Sequence, residues 1–177
     1  MKKHVVKVMI PGEEVEKRIK EVAEAINQEF AGQEVHLVGI LKGSVPFMTS
    51  LARYITLPLT VDYMSCSSYG GGTVTSGAVR MNKDLDEPIE GRNVILVEDI
   101  IDSGTTLSYL QDIFRRRKPK CLKLVTLLDK PSRRLHPEVK VDYSCFTIED
   151  KFVVGYGLDY DQYYRNLDYI GYVEFTE

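Results

Sequence analysis

Unbroken apolar runs alternate along this chain with stretches whose apolar residues recur every third or fourth position. The runs at 5–10, 35–41, 57–65, 94–97, 121–128 and 169–175 read as strands, and 139–148 as a last main strand or hairpin. No polar group interrupts Val94 to Val97, the mark of a strand covered on both faces, as in a parallel sheet. Val15, Ile19, Val22, Ile26 and Phe30 form one helical stripe. Pro11, Glu13 and Glu14 stand before it, where a first turn favours proline and acids. Pro46 opens a second helix to about Tyr54, and Leu107, Leu110, Ile113 and Phe114 continue a third from Thr105. Residues 84–91 read as a charged hairpin or turn. The final strand is expected to pack beside the N-terminal segment as a small hood.

The segment 93–107 carries the most chemistry. Glu98 and Asp99 sit where the apolar run ends, and Asp102 follows with Ser103, Gly104, Thr105 and Thr106 at the mouth of a helix. In open α/β sheets ligands gather outside the carboxyl ends of strands, and the free N–H groups of a helix start attract phosphate. The segment therefore offers carboxylates for hydroxyls or a cation beside a small-residue loop for a phosphate. Simpler readings exist: a solvated acidic turn, or an Asp-Ser N-cap. The tetrapeptide Asp102-Ser103-Gly104-Thr105 also matches aspartic proteases, but the helical spacing after it conflicts with their all-β frame. No G-x-x-x-x-G-K-[ST] phosphate loop occurs. A D-x-D-x-T phosphatase motif fails because two residues separate Asp99 from Asp102.

Bulk properties narrow the class. A chain of 177 residues suits a single domain spanning 1–177, able to bury roughly 70% of its unfolded surface. A net charge of −3 and a pI near 5.7 give no support for nucleic acid or an anionic membrane. Three cysteines at 66, 121 and 145 have neither disulfide nor zinc spacing and read as small reduced core residues. With no long apolar leader and no run of 18 apolar residues, the expectation is a cytoplasmic protein.

E-D-I-I-D-S-G-T-T, nine contiguous residues in a strand–loop–helix context, resembles the phosphoribosyl-pyrophosphate (PRPP) signature of type I phosphoribosyltransferases. In detail it is similar to the hypoxanthine-guanine members. L-K-G-S at 41–44, D-K-P at 129–131 and K-F-V-V-G-Y-G-L-D-Y at 151–160 extend the resemblance, in order, from about Val5 to Phe175. It implies a mostly parallel five-stranded sheet flanked by helices, with a hood from about 1–10 and 150–177. The reaction implied is Mg²⁺-dependent transfer of the 5-phosphoribosyl group from PRPP to hypoxanthine or guanine, giving a nucleoside monophosphate and pyrophosphate.

The resemblance also implies roles. Ser103, Gly104, Thr105 and Thr106 would cradle the 5′-phosphate, and Glu98 and Asp99 would take the ribose hydroxyls and Mg²⁺. Lys42, Gly43 and Arg165 would meet pyrophosphate, with a non-proline cis peptide at Leu41-Lys42. Asp159 matches the acid of a second Mg²⁺ site. Lys130 would donate to purine O6, Phe152 would stack on the base, and the Val153 backbone would read its edge. Asp102 would serve as general acid/base near N7. The polar, glycine-rich stretch at about 67–78 would form a lid whose Ser68 and Tyr69 close over the reacting centre. The family further implies a homodimer or homotetramer.

A different class keeps the same fold as an RNA-binding regulator. Arg115, Arg116, Arg117 and Lys118 would supply its basic face, although cations at a helix C-terminus also complement the helix dipole. The acidic pI and the purine elements at Lys130, Phe152 and Val153 weigh against it.

Overall fold

A computed structural model describes residues 2–68 and 79–176. Tyr69 of the expected lid lies outside these residues, and Ser68 enters only through its backbone at a strand end. The apolar run at 94–97 lies in the strand Asn93–Ile101, β5 in a chain order that begins with β1 (His4–Ile10), α1 (Gly12–Glu29) and β2 (Val35–Ile40). Between them come α2 (Val45–Tyr54), β3 (Leu59–Ser68) and β4 (Val79–Lys83). After β5 follow α3 (Thr105–Arg116), β6 (Cys121–Asp129), a 3-10 turn Pro131–Arg133, β7 (Tyr143–Thr147), β8 (Val153–Val154) and β9 (Ile170–Phe175).

Six strands form the main sheet in the order β4-β3-β2-β5-β6-β7. The five from β3 to β7 are parallel, as the resemblance implies, and β4 adds an antiparallel edge over 79–83, a stretch to which the sequence reading assigns no element. Chain direction across the sheet reverses between β2 and β5. That is the switch point where the loops after two adjacent strands part and leave a crevice.

Alternation of side chains along the strands splits the core into two layers. Leu37, Ile95, Val97, Val125 and Leu127 face α1 and α2 through Val15, Ile19, Phe47 and Leu51. Val38, Ile40, Val94, Leu96 and Leu124 face α3 through Leu107, Leu110 and Phe114. Complete burial of Val94 to Val97 follows from this double cover. Of the cysteines, Cys145 is buried as expected, whereas Cys66 and Cys121 are only half-buried; all three are free thiols.

A second, three-stranded sheet has the order β1-β9-β8. The first and last strands pair antiparallel from His4↔Phe175 to Ile10↔Ile170, which is the expected hood of chain ends. Among the described residues no helix is long and apolar enough to cross a membrane.

One buried acid ties the sheet edge to its neighbouring turn. The Asp62 carboxylate accepts the backbone N–H groups of Tyr63 (2.7 Å), Asp86 (2.8 Å) and Glu87 (3.4 Å) and faces Lys83 Nζ at 3.6 Å. Burial pushes its proton affinity up, but the three donors and Lys83 outweigh burial and hold the carboxyl below its ordinary value. Stability from such a group is fully present above the unfolded pKa, about 3.9, and is lost as pH falls through the lower folded one. Asp62→Ala is expected to cost about 1–3 kcal/mol in urea denaturation at pH 7, with the deficit shrinking below pH 4.

Candidate active site

The residues singled out in the sequence gather at the carboxyl edge of the main sheet. Strand β5 does not stop before its acids. It runs on through Glu98, Asp99, Ile100 and Ile101, and Glu98, Ile100 and Ile101 pair with Thr126, Leu128 and Asp129 of β6. Two carboxylates are thus fixed in a sheet rather than on a free turn. Both keep some exposure, yet they are packed deep enough for burial to push Glu98 well above its ordinary carboxyl value, with Asp99 repulsion adding to it. Asp99 is raised by burial as well, and Arg165 works in the opposite direction.

The loop after β2 closes over this pair. The Leu41-Lys42 peptide is cis, at the place the resemblance implies. Gly43 is buried, and a Cβ there would collide with the Asp99 carboxylate, so only glycine lets the loop seat against the acid. Lys42 is exposed beside it. Ser44 is fully buried, and among the described residues its hydroxyl has no hydrogen-bond partner.

Behind this loop lies the 155–165 segment. Gly157, at φ +101, presses so closely on Gly43 that a Cβ would strike the Gly43 carbonyl. Arg165 donates to the Gly157 carbonyl at 2.7 Å and pairs with Asp159 at 2.8 Å. Asp159 also accepts the Gln162 N–H at 2.8 Å, which makes it a turn acid as well. Asp159, the acid matched to a second Mg²⁺ site, is thus engaged by Arg165 and by the Gln162 N–H. Among the described residues no three His, Cys, Asp or Glu side chains converge on one point. Once ionised, the Glu98–Asp99 pair would be an acceptor-only oxygen set, which suits a hard cation that binds one or two carboxylates plus phosphate and water.

On the other side of β5, Asp102 and Ser103 turn the chain into α3. Gly104, in the left-handed region at φ 81, is the residue before the helix, and no side chain caps it. The first N–H groups of a helix have no intrahelical partner and carry its positive dipole end. Ser103 Oγ lies 3.2 Å from Thr105 Oγ1 and accepts the Thr105 N–H at 3.3 Å. Thr106 is part-exposed at the same mouth.

Register carries the next strand end to this loop. Ile101 pairs with Asp129, so Lys130 follows directly beside Asp102, and its N–H donates to the Ile101 carbonyl at 2.9 Å. A lysine before proline reads from sequence as an exposed turn, but Lys130 is 6% exposed. Its ammonium donates to the Lys151 carbonyl at 2.5 Å and lies 3.6 Å from Asp150. Val153 is buried in β8, whereas Phe152 is 48% exposed and meets Tyr160 edge-on at 5.4 Å. A part-exposed ring beside a buried ammonium is a platform for a flat polar base.

These features match a known family. The phosphoribosyl transferase domain matches residues 11–161. Over 171 residues the chain is 50% identical to the hypoxanthine-guanine phosphoribosyltransferase of Bacillus subtilis (strain 168), covering 97% of this chain and 94% of that protein. The chain belongs to the phosphoribosyltransferases. Solved phosphoribosyltransferase structures agree. A hypoxanthine-guanine phosphoribosyltransferase from Bacillus anthracis superposes with a TM-score of 0.90 at 44% identity, covering 97% of this chain and 99% of that one. A hypoxanthine phosphoribosyltransferase from Staphylococcus aureus gives 0.91 at 42%, covering 95% and 91%.

Two residues of the basic run that suggested RNA binding are engaged by neighbouring side chains in this phosphoribosyltransferase. Arg117 makes two 2.7 Å bonds to Asp84, and Arg115 bonds Asp112 and Gln111 at 3.3 Å. A cavity of about 300 Å³ between Gln33, Glu34, Arg92 and Lys120 lies at the opposite, amino edge of the sheet, and its charges are likewise engaged.

A folded pKa above the unfolded one means that ionising Glu98 costs stability, a cost absent at low pH and growing as pH rises through the unfolded carboxyl value and above. Glu98→Gln is therefore expected to raise Tm in chelator by about 2–4 °C at pH 8, and by less at pH 5, while weakening PRPP binding. Paired thermal melts at the two pH values check this.

Proposed function

We propose that this chain salvages purines by transferring the 5-phosphoribosyl group from PRPP to hypoxanthine or guanine, giving IMP or GMP and pyrophosphate. The observation that carries the reading is the register of β5 against β6. It sets the phosphate loop after Ile101 and the buried lysine after Asp129 side by side, as joining a ribose phosphate to a base requires.

In this reading the 5′-phosphate lies on the N–H groups and hydroxyls of Ser103, Gly104, Thr105 and Thr106. Glu98 and Asp99 accept the ribose hydroxyls and hold Mg²⁺ through them or through water. Bound there, Mg²⁺ would supply positive charge against the pyrophosphate. Lys42, the Gly43 backbone and Arg165 stabilise the negative charge that builds on the leaving group as its bond to C1′ breaks. Asp159, fixed to Arg165, orients that guanidinium, and a second metal there would compete with the arginine.

Phe152 stacks on the base, the Val153 backbone reads its edge, and Lys130 donates to O6. The base attacks C1′ through N9, and its N7 proton passes to Asp102, a general-base role commonly worth about 10²–10⁴ in rate. The family resemblance assigns Ser68 and Tyr69 to a lid, whose chemical purpose would be to keep water from an electron-poor ribose. Three unpaired thiols suit a reducing cytoplasm. Assembly as a homodimer or homotetramer is carried over from the family.

With PRPP and Mg²⁺, a spectrophotometric assay is expected to show turnover of hypoxanthine and guanine, and little of xanthine, adenine or uracil. Turnover of uracil alone would overturn the purine assignment. Lys130→Ala should weaken 6-oxopurine binding by roughly 1.5–3 kcal/mol, the worth of a charged hydrogen bond. Unaltered base affinity in that variant would remove the O6 contact.

A further inference from the structure

Arg133 had no role in the sequence reading, and the structure sets it against the reacting carboxylate. Its Nε donates to Asp102 Oδ1 at 3.1 Å, and its Nη1 lies 3.4 Å from Asp150 Oδ2. Asp150 Oδ1 in turn faces Lys130 Nζ at 3.6 Å. Four charges of alternating sign thus run from Asp102 through Arg133 and Asp150 to Lys130. The backbone supports this chain: Pro131 restricts the start of the 3-10 turn, and the Arg133 N–H returns to the Lys130 carbonyl at 3.1 Å. The residue that reads O6 and the residue that grips Asp102 are therefore one short turn apart. A cavity of about 390 Å³ opens between Asp102, Ser103, Ser132, Arg133 and Leu135.

We propose that Arg133 is a positioning residue for phosphoribosyl transfer, holding Asp102 by one oxygen so that the other meets the purine N–H; this rests on the role given to Asp102 above. Unrestrained, an aspartate on a part-exposed turn samples several rotamers about χ1. Anchoring Oδ1 selects one of them. Among the described residues Oδ2 has no hydrogen-bond partner, so the anchor leaves an acceptor open toward the base. Asp150 holds the guanidinium from its far side, and the same Asp150 touches the ammonium that reads O6. The spacing between the N7 and O6 contacts is thereby set by a single acid–base chain rather than by two independent side chains. Arg133 and Asp102 are 55% and 44% exposed at their side chains, so water screens the pair and its effect is modest.

A double-mutant cycle on the full chain tests this, with kcat and KM measured for PRPP and hypoxanthine. Arg133→Ala is expected to lower kcat about fivefold with the PRPP KM unchanged, because orientation of a catalytic group acts on the chemical step. Arg133→Gln should behave in the same way, and Arg133→Lys should recover part of the loss. Added to Asp102→Asn, Arg133→Ala should cost less than about twofold more, since a residue acting through Asp102 has nothing left to position. Wild-type kcat in both Arg133→Ala and Arg133→Gln overturns the proposal. So does an equal loss in the Asp102→Asn background, or an effect confined to the PRPP KM. Wild-type kcat in Asp102→Asn alone fails earlier, removing Asp102 from the chemistry and Arg133's role with it.

Discussion

Strand β5 is closed on both faces by helices and on both edges by parallel neighbours, so its charged groups gather at its carboxyl end. Glu98 and Asp99 occupy that end while still held in the strand. Their burial, which raises both carboxyls and to which Asp99 adds repulsion at Glu98, is the constraint to which the surrounding loops respond. Gly43 gives up a side chain to fit against Asp99, Gly157 gives one up to fit against Gly43, and Arg165 brings a positive charge close by. Ionising both carboxyls where they are packed costs free energy, and the loops around them supply glycine backbone and an arginine rather than more acid.

The other half of the centre depends on strand register. A slip of one residue between β5 and β6 would turn Lys130 to the opposite face, because side chains alternate along a strand. Pairing from Asn93↔Cys121 to Ile101↔Asp129 fixes the register with apolar residues buried on both faces. The same packing that stabilises the sheet therefore sets the spacing between the loop at 102–105 and the buried Lys130.

Much of this was legible in the chain. Apolar runs located the five parallel strands, the stripe through Val15 and Phe30 located α1, and the resemblance located the cis peptide at Leu41-Lys42. The misses have physical reasons. Strand β4, V-R-M-N-K, has too few apolar residues to stand out, since it is an edge strand paired on one side. β5 seemed to end at Val97 because acids disfavour strands, whereas the pairing of Glu98 with Thr126 overrides that preference. Lys130 was singled out through the resemblance, but its burial was not legible because its cover comes from Asp150 and Lys151, about twenty positions away, and no local pattern carries that contact. Arg133 and the Asp159–Arg165 pair escaped for the same reason: charge partners are chosen in space.

The hood has a consequence for the order in which the molecule is made. Among the described residues β1 has a single partner strand, β9, and the two lie at opposite ends of the chain. The parallel sheet from β3 to β7 can assemble from the middle of a nascent chain, but β1 must wait with its N–H and C=O groups unpaired until the last strand emerges. Phe152 and Tyr160, which touch Phe175 of β9, can settle only then. The aromatic cluster around Phe152 is thus the last part of the carboxyl edge to form, so a chain truncated before β9 could keep the loop into α3 and still lack that cluster.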